Sequence, residues 1–180
     1  MGRLNPPEPS ELSSAQQDVY DSISSGPRGG VYGPLGVWFW RPELAQHAQR
    51  LGQYCRYDSS LSKRLSELAI LITGRYWGAE FEWQHHKPIA LEAGLDADIV
   101  EAIRQGEKPA FTKKDEQCVY DVAMSLYHTR KVDSKTYQSA VDVLGQDALV
   151  DLVGVLGYYA LISMTINVFE VDAEGDDELT

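Results

Sequence analysis

Two of the four histidines in this chain lie side by side in the segment Ala-Glu-Phe-Glu-Trp-Gln-His-His, residues 79–86. On a helix, Glu82, His85 and His86 would stand at positions i, i+3 and i+4 and would therefore share one face. A carboxylate beside an imidazole favours the protonated ring and fixes its tautomer, which suits proton transfer near neutral pH. The spacing predicts an acid–base group made of these three side chains.

A second acid, Glu67, lies one predicted helix earlier. Apolar residues at helical spacing predict a helix over residues 62–76, and residues 79–93 form the next helix, which Gly94 would end. If the two helices pack as a hairpin, Glu67 lies beside the histidines and can join the group. The alternative is that Glu67 is an ordinary surface acid near Arg64, and that the histidines form an ordinary helical ion pair.

The same residues also allow a metal site to be considered, since Glu82 and His85 have the spacing of one half of a di-iron centre in a helical bundle. Such a centre needs a second Glu-x-x-His pair and two further carboxylates. Glu43 precedes His47 by four residues rather than three, and no acid stands three residues before His128. We therefore expect neither a metal nor another cofactor.

Composition narrows the possible partners and the compartment. Asp and Glu outnumber Lys and Arg by 27 to 16, which gives a formal charge of −11 and argues against nucleic acid or an anionic membrane as partner. The two cysteines, Cys55 and Cys118, form neither a Cys-x-x-Cys pair nor a disulfide framework, so we expect a cytoplasmic protein. The uncharged stretch 152–169 is only moderately apolar and is expected to be a core helix rather than a membrane span.

No segment alternates between apolar and polar residues as a strand would, so the predicted fold is all-α with about seven helices. We expect a flexible N-terminal arm over residues 1–14, one helical domain over 15–171 and an acidic tail over 172–180. An aromatic segment, residues 32–40, is predicted as a loop that either reaches over a pocket or serves as a packed connector.

Several runs of residues together resemble the carboxymuconolactone decarboxylase family of the alkylhydroperoxidase D-like superfamily. The first three are Arg-Leu-Ser-Glu-Leu-Ala-Ile-Leu at 64–71, the histidine segment at 79–86, and Ala-Leu-Glu-Ala-Gly-Leu at 90–95. Leu-Gly-Tyr-Tyr at 156–159 and Met-Thr-Ile-Asn-Val-Phe at 164–169 are similar to the last helix of that family. The resemblance covers about residues 33–171 and implies an all-helical domain that assembles as a homotrimer or homohexamer.

One branch of the superfamily, similar to alkylhydroperoxidase D, reduces peroxides with a Cys-x-x-Cys pair supported by a glutamate and a histidine. Glu67 and His86 fall where that glutamate and histidine would be, but Ala79 and Glu82 occupy the two cysteine positions. Because a thiol peroxidase needs its thiolate nucleophile, that activity is not expected here.

The other branch decarboxylates γ-carboxymuconolactone without a cofactor, in aromatic catabolism. The resemblance therefore implies a carbon–carbon lyase acting on a small carboxylate or lactone, with His86 or His85 as the proton donor and Glu82 and Glu67 holding it. Arg75, Trp38 and Tyr158 are the candidate substrate-binding residues, although packing in the core is an alternative role for Tyr158. Arg41 and Arg50 could bind a substrate carboxylate in place of Arg75, and nothing in the sequence selects among the three arginines. A second hypothesis is an oligomeric small-molecule binding protein that keeps the scaffold without peroxidase activity.

Overall fold

The fold is built from helices alone in residues 2–173, 175 and 179, which are the residues that the computed structural model describes. The nine α-helices of this part of the chain are α1 (Ser14–Ser24), α2 (Pro34–Val37), α3 (Pro42–Gln53), α4 (Lys63–Trp77), α5 (Glu80–Glu92), α6 (Ala97–Arg104), α7 (Lys114–Thr129), α8 (Ser134–Leu144) and α9 (Gln146–Phe169). The all-α prediction is confirmed, whereas the predicted number of about seven helices was too low.

Helix α4 lies at the centre of the domain. All of its residues from 65 to 74 are buried, and it packs against α5, α7 and α9. The Ser62 side chain caps its first turn by accepting from the Leu65 amide, and Gly78 ends it with a φ of 62°. That left-handed residue turns the chain back at once into α5. As predicted, α4 and α5 therefore form a hairpin.

Helix α9 is long and apolar enough to cross a membrane. However, 61% of its most apolar 18-residue stretch is buried inside the domain. The core helix of a globular protein meets the same criteria, and α9 packs on α4 and α8 as such a helix does. Its Tyr158 and Tyr159 are both buried and face the α4–α5 hairpin and the segment before α3.

The aromatic segment before α3 is coiled rather than extended. It contains α2 and a short 3₁₀ turn, Trp38–Trp40. Because α2 was not predicted, it accounts for part of the difference between the predicted and observed numbers of α-helices. Trp38 and Phe39 are buried, and the Trp38 indole N–H donates to Thr165 Oγ1 at 3.0 Å. Tyr32 instead stays exposed at the start of the segment. The segment is thus partly a packed connector and partly available to a pocket.

The predicted N-terminal arm makes specific contacts with the end of α9. The Arg3 amide donates to the Phe169 carbonyl at 2.7 Å, and the Arg3 guanidinium pairs with Glu170 at 2.5 Å. The Trp40 indole N–H donates to the Asn5 carbonyl at 2.9 Å. The beginning of the chain is therefore hydrogen-bonded to its last helix.

The predicted acidic tail, residues 172–180, is described only at 172, 173, 175 and 179, and its other positions lie outside the described residues. The Gly175 amide donates to Gln84 Oε1 at 2.6 Å, and the Leu179 amide donates to Glu80 Oε1 at 2.9 Å. Both contacts are made to the first turns of α5, so this part of the tail lies beside the helix that carries the histidines.

Candidate active site

Glu67, His86 and Glu82 form a buried cluster at the centre of the α4–α5 hairpin. His86 Nδ1 lies 2.6 Å from Glu67 Oε2, and His86 Nε2 lies 3.2 Å from Glu82 Oε2. Glu82 and His86 share one face of α5 at i and i+4, and the hairpin brings Glu67 to them from α4. The side chains of all three are more than nine-tenths buried.

The charge of His86 is decided by two opposed effects. Burial lowers its pKa, but the hydrogen bond to Glu67 and the closeness of Glu82 raise it by more, so the pKa of His86 lies above its usual value of 6.5. The direction of this shift favours the imidazolium form of His86. Nowhere among residues 2–173, 175 and 179 do three or more His, Cys, Asp or Glu side chains group as metal ligands would.

The two carboxylates of the cluster are not equivalent. Glu67 binds Nδ1 in a short hydrogen bond, whereas the Glu82 contact is an ion pair whose geometry is not that of a hydrogen bond. Glu82 Oε2 is buried and has no hydrogen-bond partner within the described part of the chain. The ion pair with His86 is therefore the compensation that the described residues give to this buried oxygen, and it leaves the hydrogen-bonding capacity of the oxygen unused.

A cavity of about 140 Å³ lies directly beside His86 and Glu82. An engineered cavity of about 150 Å³ in another protein binds benzene, so this space suits a one-ring molecule. Exposed Tyr32 and His85 mark its opening to solvent. Its walls come from the segment before α3, from the turn that follows α3, and from α5 and α9. The lining residues are Arg28, Gly30, Tyr32, Pro34, Leu35, Arg56, Tyr57, Phe81, Glu82, His85, His86, Tyr158, Tyr159 and Ile162.

His85 lines the mouth of this cavity and differs in charge from His86. Its ring is stacked on Phe81, and its Nε2 lies 3.3 Å from Arg56 Nη2. Partial burial of the ring, together with the positive charges of His86 and Arg56, lowers the pKa of His85 to about 4. His85 is thus neutral at pH 7 and accepts from Arg56, so His86 is the better proton donor of the two.

The structure places the three predicted substrate-binding residues differently. Tyr158 lines the cavity. Trp38 lies behind it with its ring edge against Tyr158 at 6.4 Å, so it supports that wall without reaching the cavity. Arg75 lines a separate cavity and its Nε donates to the Arg104 carbonyl at 2.8 Å. Eight residues after Glu67, it is rotated by about 80° around α4 and points toward α6.

Sequence reasoning missed two arginines that do line the cavity, Arg28 and Arg56. Arg28 lies in the glycine-rich turn after α1, where the sequence indicated only the end of a helix. Arg56 lies in a π-helical turn, Tyr54–Asp58, that follows α3. π-Helical turns occur often at functional sites. The spacing of apolar residues, however, predicts only an ordinary helix end at residues 54–58. An arginine inside a glycine-rich turn was the one signal available for Arg28.

Gly52 allows α3 to approach the cavity wall closely, since a Cβ at this position would overlap the Tyr158 hydroxyl and meet the Arg28 guanidinium. We expect Gly52→Ala to lower the free energy of unfolding by about 1–3 kcal/mol through overpacking, as measured by urea denaturation. Gly154→Ala is the matched control, because its Cβ would meet only Cys55 Sγ at 3.9 Å. Equal losses in the two variants would contradict this account of Gly52.

The two cysteines lie away from the cluster. Burial raises the pKa of Cys55 to about 11, with a smaller contribution from Asp151, and Cys118 is also buried and free. Neither lines the cavity beside His86. A buried thiol with a raised pKa is a poor nucleophile, so the geometry gives no support to thiol peroxidase chemistry.

The helical architecture is that of the alkylhydroperoxidase D-like proteins. It is similar to the alkylhydroperoxidase D core of an uncharacterized peroxidase-related protein from Ralstonia eutropha, with 13% identity, a TM-score of 0.77, and coverage of 98% of this chain and 94% of that one. A peroxidase-related protein from Silicibacter is similar at 12% identity and TM-score 0.76, over 97% and 92% of the two chains. At these identities the likeness shows the fold alone.

A third similar structure is the debrominase Bmp8 in complex with 2,3,4-tribromopyrrole, with 13% identity, a TM-score of 0.74, and coverage of 95% of this chain and 91% of that one. No curated protein matches the chain. Residues 42–120 match the carboxymuconolactone decarboxylase family. This segment, which is less than half of the chain, holds Glu67, Glu82 and His86.

Proposed function

We propose that this protein is a cofactor-free lyase of the carboxymuconolactone decarboxylase type, acting on a small carboxylated lactone or a related acid. The observation that carries the proposal is the buried His86 ring, which lies between two carboxylates and lines a cavity that suits one ring. The family match and the absence of a cysteine pair at positions 79 and 82 favour acid–base over thiol chemistry.

In the proposed reaction the bond between the substrate carbon and its carboxylate breaks, and CO₂ leaves. The electron pair passes into the conjugated ring system, where negative charge develops on the carbonyl oxygen. The imidazolium of His86 stabilises that oxygen and then gives its proton to carbon, after which the ring regains a proton from water. The product thus carries one proton in place of the carboxylate, and no oxidant or reductant is used.

The two glutamates have different parts in this scheme. Glu67 does not line the cavity; it holds Nδ1 and thereby fixes the ring with Nε2–H directed into the site. Glu82 faces the cavity and its contact with Nε2 is not an aligned hydrogen bond, so a substrate oxygen can compete for that proton. Glu67 is therefore a positioning residue and His86 the proton donor.

The direct test is to incubate purified protein with γ-carboxymuconolactone and to measure CO₂ release together with loss of the lactone. We expect equal amounts of each, and we expect the rate to survive treatment with a metal chelator. Binding of the lactone, detected as thermal stabilisation, without any CO₂ would contradict the lyase. That result would support the alternative of a small-molecule binding protein on the same scaffold.

A further inference from the structure

We infer that Arg28, assisted by the Tyr158 hydroxyl, binds a carboxylate of the substrate that is not lost in the reaction. The inference rests on the proposed function and adds to it the residue that would hold and orient such a substrate. Arg28 lines the cavity from the glycine-rich turn after α1, and its Nη2 lies 3.5 Å from Tyr158 Oη.

The hydrogen-bonding of Arg28 is incomplete. Its Nε is buried and has no hydrogen-bond partner among residues 2–173, 175 and 179, and no carboxylate in that part of the chain pairs with it. Arg64, by comparison, is held by Asp115 at 2.6 Å and by Glu116. A buried guanidinium N–H without an acceptor is costly, and a carboxylate can satisfy Nε and one Nη together with two parallel hydrogen bonds.

The other arginine of the cavity is already engaged. Arg56 lies 3.3 Å from His85 Nε2, and its guanidinium lies over the Tyr57 ring at 5.4 Å from the centroid. Arg28 is thus the better-placed cation for an anionic group. The apolar side chains of Leu35, Phe81 and Ile162 form other parts of the lining and suit a ring.

The leaving carboxylate is a poor partner for Arg28, for an energetic reason. A carboxylate loses its charge as it becomes CO₂, so a guanidinium bound to it would stabilise the ground state more than the transition state and would slow the reaction. A retained carboxylate keeps its charge throughout, and Arg28 can hold it without that penalty. The carboxylate bound by Arg28 therefore orients the substrate, while the reacting end lies toward His86.

Calorimetric binding of benzoate and of its neutral analogue benzamide tests this inference without requiring turnover. We expect the wild-type protein to bind benzoate at pH 7, and we expect Arg28→Gln to weaken that binding by about 10- to 100-fold. Benzamide binding should be equal in the two proteins. Arg41→Gln is the matched control, since Arg41 is exposed and does not line the cavity, and it should leave benzoate binding unchanged.

Thermal unfolding of the same variants separates binding from folding. Because Arg28 has no ion pair among the described residues and would lose only the 3.5 Å contact from Nη2 to Tyr158 Oη, Arg28→Gln should lower the unfolding midpoint little. Benzoate binding that is absent in the wild type, or unaffected by Arg28→Gln, would overturn the inference. If benzoate binding depends on Arg28 but no CO₂ is released from the lactone, the proposed lyase activity is contradicted and the carboxylate-binding role of Arg28 is supported. The failure of the proposed function can thus be distinguished from the failure of this inference.

Discussion

His86→Gln is expected to lower the turnover number for decarboxylation by about 100- to 10,000-fold, the usual range for loss of a general acid. Glutamine can still donate to Glu67, but it carries neither the positive charge nor the transferable proton of the imidazolium. The measurement is kcat from CO₂ release at saturating lactone. His47→Gln is the control, since His47 is exposed on α3 and does not line the cavity.

Glutamine is preferred to alanine at this position because His86 also has a structural part. His86→Ala would leave Glu67 and Glu82 as buried carboxylates without their cation, and breaking a buried ion pair in this way costs about 3–5 kcal/mol. The alanine variant is therefore expected to lose stability as well as activity. A His86→Gln protein that folds and keeps the wild-type kcat would refute the role given to His86.

Glu67→Gln is expected to move the loss of activity at high pH toward lower pH. The hydrogen bond that His86 Nδ1–H donates to the Glu67 carboxylate helps to raise the pKa of His86 above 6.5, and the imidazolium is lost as the pH rises through that raised pKa. Without the Glu67 charge, the pKa of His86 falls and the imidazolium is lost earlier. The pH dependence of kcat over the neutral and alkaline range measures the shift.

The free energy of unfolding should change over the same pH range, and it should fall as His86 loses its proton. In the wild type, the contribution of charged His86 is fully present below pH 6.5 and is lost as the pH rises through its raised folded pKa. Glu67→Gln should make this pH dependence of the unfolding free energy smaller. Glu92→Gln, an exposed position on α5, removes the same charge outside the cluster. Equal pH shifts in both variants would mean that Glu67 acts only through net charge.

Local patterns in the sequence were sufficient to predict that Glu67, Glu82 and His86 lie close together. Glu82 and His86 are brought together by helical spacing alone, and Glu67 joins them because a glycine-ended helix followed directly by another helix folds as a hairpin. The all-α class follows from the same periodicity. The short helix α2 was missed, since four residues inside a segment rich in glycine, proline and aromatic residues show no helical period.

The walls of the cavity could not be predicted in this way. Arg28 and Tyr158 are 130 positions apart and meet only through the packing of the turn after α1 on α9. Nothing in the sequence selected among the candidate arginines, and Arg75 is directed to α6 by its rotation around α4. Spacing within one helix determines which residues share a face, whereas contacts between distant segments depend on the whole packing arrangement.

The residues of the candidate site lie both inside and outside the segment that matches the family. Glu67, Glu82 and His86 lie within residues 42–120, whereas Arg28 and Tyr32 precede that segment and Tyr158 follows it. In the proposed scheme, the groups that transfer the proton and the groups that bind the retained carboxylate are therefore carried by different stretches of the chain. Substitutions before residue 42 or after residue 120 can alter substrate selectivity while leaving the α4–α5 hairpin as it is.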